Sequence, residues 1–310
     1  MSTNSPKVLH WSCEAIAFFF ALSCGRQDGT VGKMYPTDAS NNPSVFETDF
    51  AENLSTWSAD TSLPGATVMA QVTDPQARDG YVAELRFPGS TSSSSTNHVG
   101  PNYVTQLATP SLFSFGKLQT SVKFGTCTPN EETIQSILGY FNDGTDLDQN
   151  GITDDIEIDI QVMCGTLGYL YLTVFTDYES TPTGENFRKM SHIIDFNTGT
   201  EYENINDNSD EFSITNEDTR LKRPDLFIAD QFYELGFEWH SDQVRFFLVD
   251  GSDEVTLWTL NDVSHVPQRP VNLLYNLWHP SSHWYPANGA ADFPANDVVM
   301  RVDWLRYESF

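Results

Sequence analysis

Hydrophobic and polar residues alternate most regularly at residues 156–162, where Ile156, Ile158, Ile160 and Val162 interleave with Glu157, Asp159 and Gln161. A period of two predicts a strand with one buried and one open face. The β-branched set, stiff at χ1, favours the same conformation. Glu157, Asp159 and Gln161 therefore share the face expected to be open. Similar short apolar or aromatic runs recur at 81–87, 117–124, 134–141, 169–175, 232–239, 244–249, 271–278 and 298–307, separated by Gly, Pro, Asn and Asp. Long amphipathic helical patterns are scarce. Many short strands with regular turn signals predict an all-β fold, a two-sheet sandwich or jelly roll, and argue against a parallel α/β sheet. The Ser/Thr run 90–96 and the acidic stretch 201–218 read as solvated loops.

Composition narrows the partners. The 310 residues carry 16 Lys and Arg against 43 Asp and Glu, a net charge of −27. Such a chain repels nucleic acid and anionic membranes, which excludes a phosphate-backbone partner. No partner protein is implied. The aromatic content of 13 % suits both a β-rich core and stacking platforms for sugar rings.

Residues 1–23 read as an export signal. Lys7 precedes a short apolar run at 15–23, which is too short to span a bilayer. Cys24 follows Ala21-Leu22-Ser23, which partly matches a bacterial lipobox, so either lipidation at Cys24 or ordinary secretion would follow. Both give an exported protein, extracellular or in the cell envelope. Residues 24–45 read as a flexible linker and 46–310 as one domain. Export permits a disulfide. If 134–142 pairs antiparallel with 156–163, Cys127 and Cys164 meet at the strand ends, which predicts a Cys127–Cys164 bridge; two independent buried thiols are the alternative.

Two acids on one strand face suit glycoside hydrolysis with retention, in which one carboxylate attacks the anomeric carbon and the other protonates the leaving oxygen. The run Glu157-Ile158-Asp159-Ile160 resembles the catalytic strand of the family-16 glycoside hydrolases, concanavalin A-like β-jelly-roll glucanases and galactanases. Further segments are similar to that family in order: 115–123, 137–142, Phe237-Glu238-Trp239, the Val249-Asp250-Gly251 hairpin, Asn276-Leu277-Trp278 and 302–307. The resemblance covers roughly residues 80–310. It implies a two-sheet β-jelly-roll sandwich with a groove for a β-linked polysaccharide or oligosaccharide, no cofactor for catalysis, Glu157 as nucleophile and Asp159 as its helper. The acid/base position falls on Gln161, or on Val162 if one residue is inserted there. Neither side chain can donate and recover a proton. Three readings stay open: a non-catalytic, lectin-like binding protein, an enzyme using another acid, or a deliberate Glu-to-Gln replacement. The resemblance also places Trp239 and Trp278 at substrate-contacting positions, with Tyr140, His279 and Trp284 near the same rim. Aromatic faces stack on the apolar faces of pyranose rings.

Upstream, Asp146, Asp148, Asn150, Gly151 and Glu157 fit the spacing of a calcium loop, with Asp154 or Asp155 free to complete an ion site if Glu157 serves the groove. The flanks read as strands, so an EF-hand is excluded. A structural Ca2+ loop and a polar hairpin loop both remain open. His279 and His283 are spaced i,i+4, but Pro280 rules out a helical metal pair.

Overall fold

The computed structural model describes residues 43–89, 98–100, 102–142, 144–146, 155–176, 188–205, 209–217, 219–227 and 230–310. The expected signal, the first 19 residues of the linker and the 90–96 run lie outside them. So do Asp148, Asn150 and Asp154 of the candidate calcium loop; Asp146 is described and half-buried.

In chain order the strands are β1 (Val45–Thr48), β2 (Ser58–Thr61), β3 (Thr67–Thr73), β4 (Tyr81–Phe87), β5 (Val104–Ala108), β6 (Gly116–Lys123), β7 (Ile134–Phe141), β8 (Ile156–Met163) and β9 (Tyr169–Thr176). There follow β10 (Arg188–Asp195), β11 (Thr200–Asn204), β12 (Phe212–Asn216), β13 (Tyr233–Trp239), β14 (Val244–Asp250), β15 (Asp253–Leu260), β16 (Asn272–Trp278) and β17 (Val298–Ser309). Among the described residues the only helical piece is one 3-10 turn, Thr219–Leu221. The strands form two antiparallel sheets. One runs β15-β14-β13-β6-β17-β4-β3, with β1 also on β17; the other runs β12-β11-β10-β9-β8-β7-β16-β5-β2. This is an all-β, two-sheet β-jelly-roll sandwich.

Alternation explains how the sheets pack. Ile156, Ile158, Ile160 and Val162 of β8 enter the core between the sheets, with Leu170, Leu172 and Val174 of β9 beside them. From the opposite sheet come Leu235, Phe237 and Trp239 of β13, and Val302 and Leu305 of β17. A buried polar link also crosses the core: Thr120 of β6 lies 2.8 Å from the Tyr275 hydroxyl of β16 and donates to the Trp304 carbonyl at 2.7 Å. Buried hydroxyls need such partners.

Two expectations change. The 201–218 stretch is not a loop, because it contains β11 and β12. Its aromatic positions drive the pairing: Tyr202 and Phe212 both pack on the Tyr285 ring. Glu201 and Glu203 are compensated by His192, whose ring nitrogens lie 3.0 and 3.2 Å from them. Second, β8 has no open face; all eight residues are buried. It is a central strand of the nine-stranded sheet, flanked by β7 and β9, and its polar face lies at the bottom of a cleft rather than on an open surface.

Candidate active site

Strand register places the acidic row. Glu157 pairs with Tyr140 of β7 and Phe175 of β9, Asp159 with Leu138 and Thr173, and Gln161 with Ser136 and Tyr171. One row on, Met163 lies opposite Ile134, which pairs with Trp278 of β16. Side chains of the same parity share a face, so Glu157, Asp159, Gln161, Tyr171, Thr173 and Trp278 all project from the sheet face away from the core.

A cleft of ≈500 Å³ lies on this face. Asp159, Gln161, Tyr171 and Thr173 line its floor, and Trp278, His283, Trp284 and Tyr285 one wall. The aromatic end is built from ring on ring: Tyr171 meets Trp284 edge-on at 5.3 Å, and Trp284 meets Trp278 at 6.0 Å. The other end is polar. Lys189 pairs with Asp210 at 2.9 Å, and the Thr173 and Ser191 hydroxyls lie 3.0 Å apart. An apolar cleft with a few convergent polar groups is the usual form of a small-ligand site.

Two polar atoms in this wall are unsatisfied. The Tyr171 hydroxyl and the Trp278 Nε1–H are buried without a hydrogen-bond partner among the described residues, and both side chains line the cleft. Buried donors seldom go unpaired, so both are poised for a ligand. Burial pushes the Tyr171 phenol well above its ordinary value, and the nearby Glu132 charge adds to the effect, so it stays a neutral donor.

The acids behave as a pair. Burial raises the Asp159 carboxyl from 3.8 to about 7, a net rise that already includes a smaller lowering effect of the neighbouring Glu157. Neighbouring carboxyls in a buried site resist ionising together. Glu157 is 0 % exposed and is not part of the cleft lining, whereas Asp159 is. Gln161 donates from Nε2 to the Ser136 hydroxyl at 3.3 Å and faces the cleft as an amide.

The structure separates the aromatic candidates. Trp278 and Trp284 line the cleft. Trp239 does not: it is 1 % exposed, lies in the inter-sheet core against Phe115 and donates from Nε1 to the Pro267 carbonyl at 2.9 Å. Its odd parity with Phe237 and Leu235 turns it inward. Tyr140 sits half-buried on the cleft face beside Leu138 and Leu274, outside the lining. His279 is buried, donates from Nδ1 to the Glu132 carbonyl at 2.7 Å and is also outside the lining; burial holds its ring below the ordinary value.

Cys127, in the connection between β6 and β7, and Cys164, just past the end of β8, are joined by a disulfide. Glu132 offers a carboxylate within 4.8 Å of both sulfurs, but the bridge occupies the sulfurs, so this trio holds no metal while it is closed.

The sequence missed Tyr171, Lys189 and Glu132 as site residues and weighed His283 only as a metal ligand. Tyr171 had a usable signal, since the alternation of 169–175 puts it on the same face as Thr173. Glu132 had none; it lies in a loop without periodicity.

No family model matches the sequence, and no curated protein matches it. Solved structures do match. A β-glucanase from Bacillus licheniformis superposes with a TM-score of 0.51 at 14 % identity, over 87 % of this chain and 100 % of that one. A β-1,3-1,4-glucanase (lichenase) derived from a mouse hindgut metagenome gives a TM-score of 0.50 at 16 % identity, over 86 % of this chain and 100 % of that one. The fold is thus the two-sheet β-jelly roll that these glucanases also have, the fold that the sequence resemblance implied.

Proposed function

We propose that this is an exported glycoside hydrolase-like protein whose cleft holds a β-linked polysaccharide and cleaves its O-glycosidic bonds with retention. The observation that carries this reading is the buried Glu157–Asp159 carboxyl pair under a cleft whose Tyr171 and Trp278 donors have no partner among the described residues. Sugar hydroxyls match those donors, and pyranose faces match Trp278 and Trp284. Glu157 attacks the anomeric carbon, with Asp159 beside it on β8 as its helper. For this, the bound chain must reach along β8 past Asp159 to Glu157. The acidic surface suits an uncharged glycan. A structural Ca2+ held by Asp146 and its neighbours belongs to the same proposal and plays no part in the chemistry.

A second reading, binding without turnover, is favoured by the amide at Gln161 and the full burial of Glu157. Activated aryl β-glycosides separate the two because they need little acid assistance. Turnover that azide accelerates, with disappearance of both effects in Glu157→Gln, supports the hydrolase. Glycan binding without any turnover supports the lectin-like protein.

A further inference from the structure

The glycosidic leaving oxygen needs a proton, and Gln161 cannot supply it. We propose that His283, held by Glu132, is the proton-transfer group of this cleft; the inference rests on the hydrolase reading above. His283 lines the cleft together with Asp159 and Gln161. Its Nδ1 lies 2.9 Å from Glu132 Oε1. A carboxylate only accepts, so Nδ1 carries the hydrogen and Nε2 is the nitrogen left for chemistry. Among the described residues the His283 ring bonds through Nδ1 alone.

Glu132 is built into its place. It is 0 % exposed, and it accepts from the Gly165 amide at 3.1 Å and the Thr166 hydroxyl at 3.1 Å. Burial holds its carboxyl above the ordinary value, and the bonds from Gly165, His283 and Thr166 offset part of that rise. Gly165 is required here: a Cβ at that position would stand 2.2 Å from the Glu131 carbonyl oxygen and 3.0 Å from Glu132 Oε1. The neighbouring Cys127–Cys164 disulfide closes the same loop. The backbone of His283 is pinned in turn by its amide bond to the Gly289 carbonyl at 2.8 Å. An imidazole held by a buried carboxylate in the wall of a cleft is the arrangement of a general acid and base.

The step balances without another reactant. As a Glu157 oxygen bonds to the anomeric carbon, the bond from that carbon to the leaving oxygen breaks, and the imidazolium Nε2–H passes its proton to that oxygen. Water then attacks the same carbon and the ester bond to Glu157 breaks. Nε2 takes the proton of the attacking water, which restores the imidazolium.

The experiment compares wild type, His283→Ala and Glu132→Gln on a soluble β-1,3-1,4-glucan and on aryl β-glycosides of graded leaving-group acidity. Loss of general-acid help costs about 10²–10⁴-fold on the glucan. With the most activated glycoside H283A loses less than about tenfold, and its rate depends more steeply on leaving-group acidity. Added imidazole restores H283A, and E132Q, a positioning variant, lowers kcat more than it changes KM. Glucan hydrolysis by H283A at the wild-type rate overturns the inference and leaves the hydrolase reading standing. So does a wild type that cleaves only the activated glycosides. A wild type that cleaves neither substrate removes the hydrolase reading, and this inference with it.

Discussion

Asp159 lies fully buried against Glu157, two residues away on the same face of β8, with its carboxyl raised to about 7. This relationship has a pH consequence. The folded state holds the proton more tightly than the unfolded chain, whose value is near 3.8. Below about 4 both states are protonated and the group contributes nothing. As pH rises from about 4 through about 7, the unfolded chain gives up its proton first, so stability falls. Asp159→Asn should flatten this slope. Urea midpoints at pH 4.5, 6 and 8 test it: the variant gains on wild type as pH rises, and an equal gap at all three pH values contradicts the coupling.

Tyr171→Phe removes a buried hydroxyl that has no partner among the described residues. Loss of such a group should leave the free protein as stable or about 1 kcal/mol more stable. The same change should weaken glycan binding by roughly two- to tenfold, the value of one hydrogen bond. Denaturant melts and calorimetric titration with a β-glucan oligosaccharide give the two signs separately. A destabilised variant with unaltered affinity would mean that the hydroxyl is structural.

Trp239 and Trp278 divide the roles that the sequence assigned jointly. Trp239→Phe leaves the Pro267 carbonyl without its partner in the core and should cost about 1–3 kcal/mol of stability with no change in glycan affinity. Trp278→Ala should cost binding about 2 kcal/mol, as for a central aromatic contact. Thermal melts alongside titration on both variants check the division.

The Cys127–Cys164 bridge closes a 37-residue separation. Restriction of the unfolded chain over such a loop is worth about 4 kcal/mol. The Cys127→Ser, Cys164→Ser pair should therefore melt well below the oxidised protein, and a reductant should lower the wild type to the same point. Because the bridge adjoins Glu132, glucan hydrolysis should fall in the reduced protein before it unfolds.

Local pattern foretold most of the central strands. The runs 81–87, 134–141 and 156–163 coincide with β4, β7 and β8: residues 83–87 and 156–162 alternate, and Pro88, Asn142 and Gly165 follow the three runs as turn residues. Strands β11 and β12 escaped because Glu201, Glu203 and Glu217 swamp the sparse apolar positions that pair them. The same limit applies at the site. Neighbours along one strand, Glu157, Asp159 and Gln161, were legible, as was Trp278 through the family resemblance. His283 and Glu132 are 151 residues apart in sequence and meet only when a loop folds over the end of β7. Trp239 was misjudged because a strand's period does not say which of its faces meets the core.

The most direct test of retaining hydrolysis is covalent trapping with a 2-deoxy-2-fluoro-β-glycosyl fluoride, followed by peptide mass spectrometry. The account predicts a single glycosyl ester on the Glu157 peptide, absent from Glu157→Gln and released on addition of an acceptor sugar. An unlabelled protein that still binds β-glucan in the cleft would contradict it.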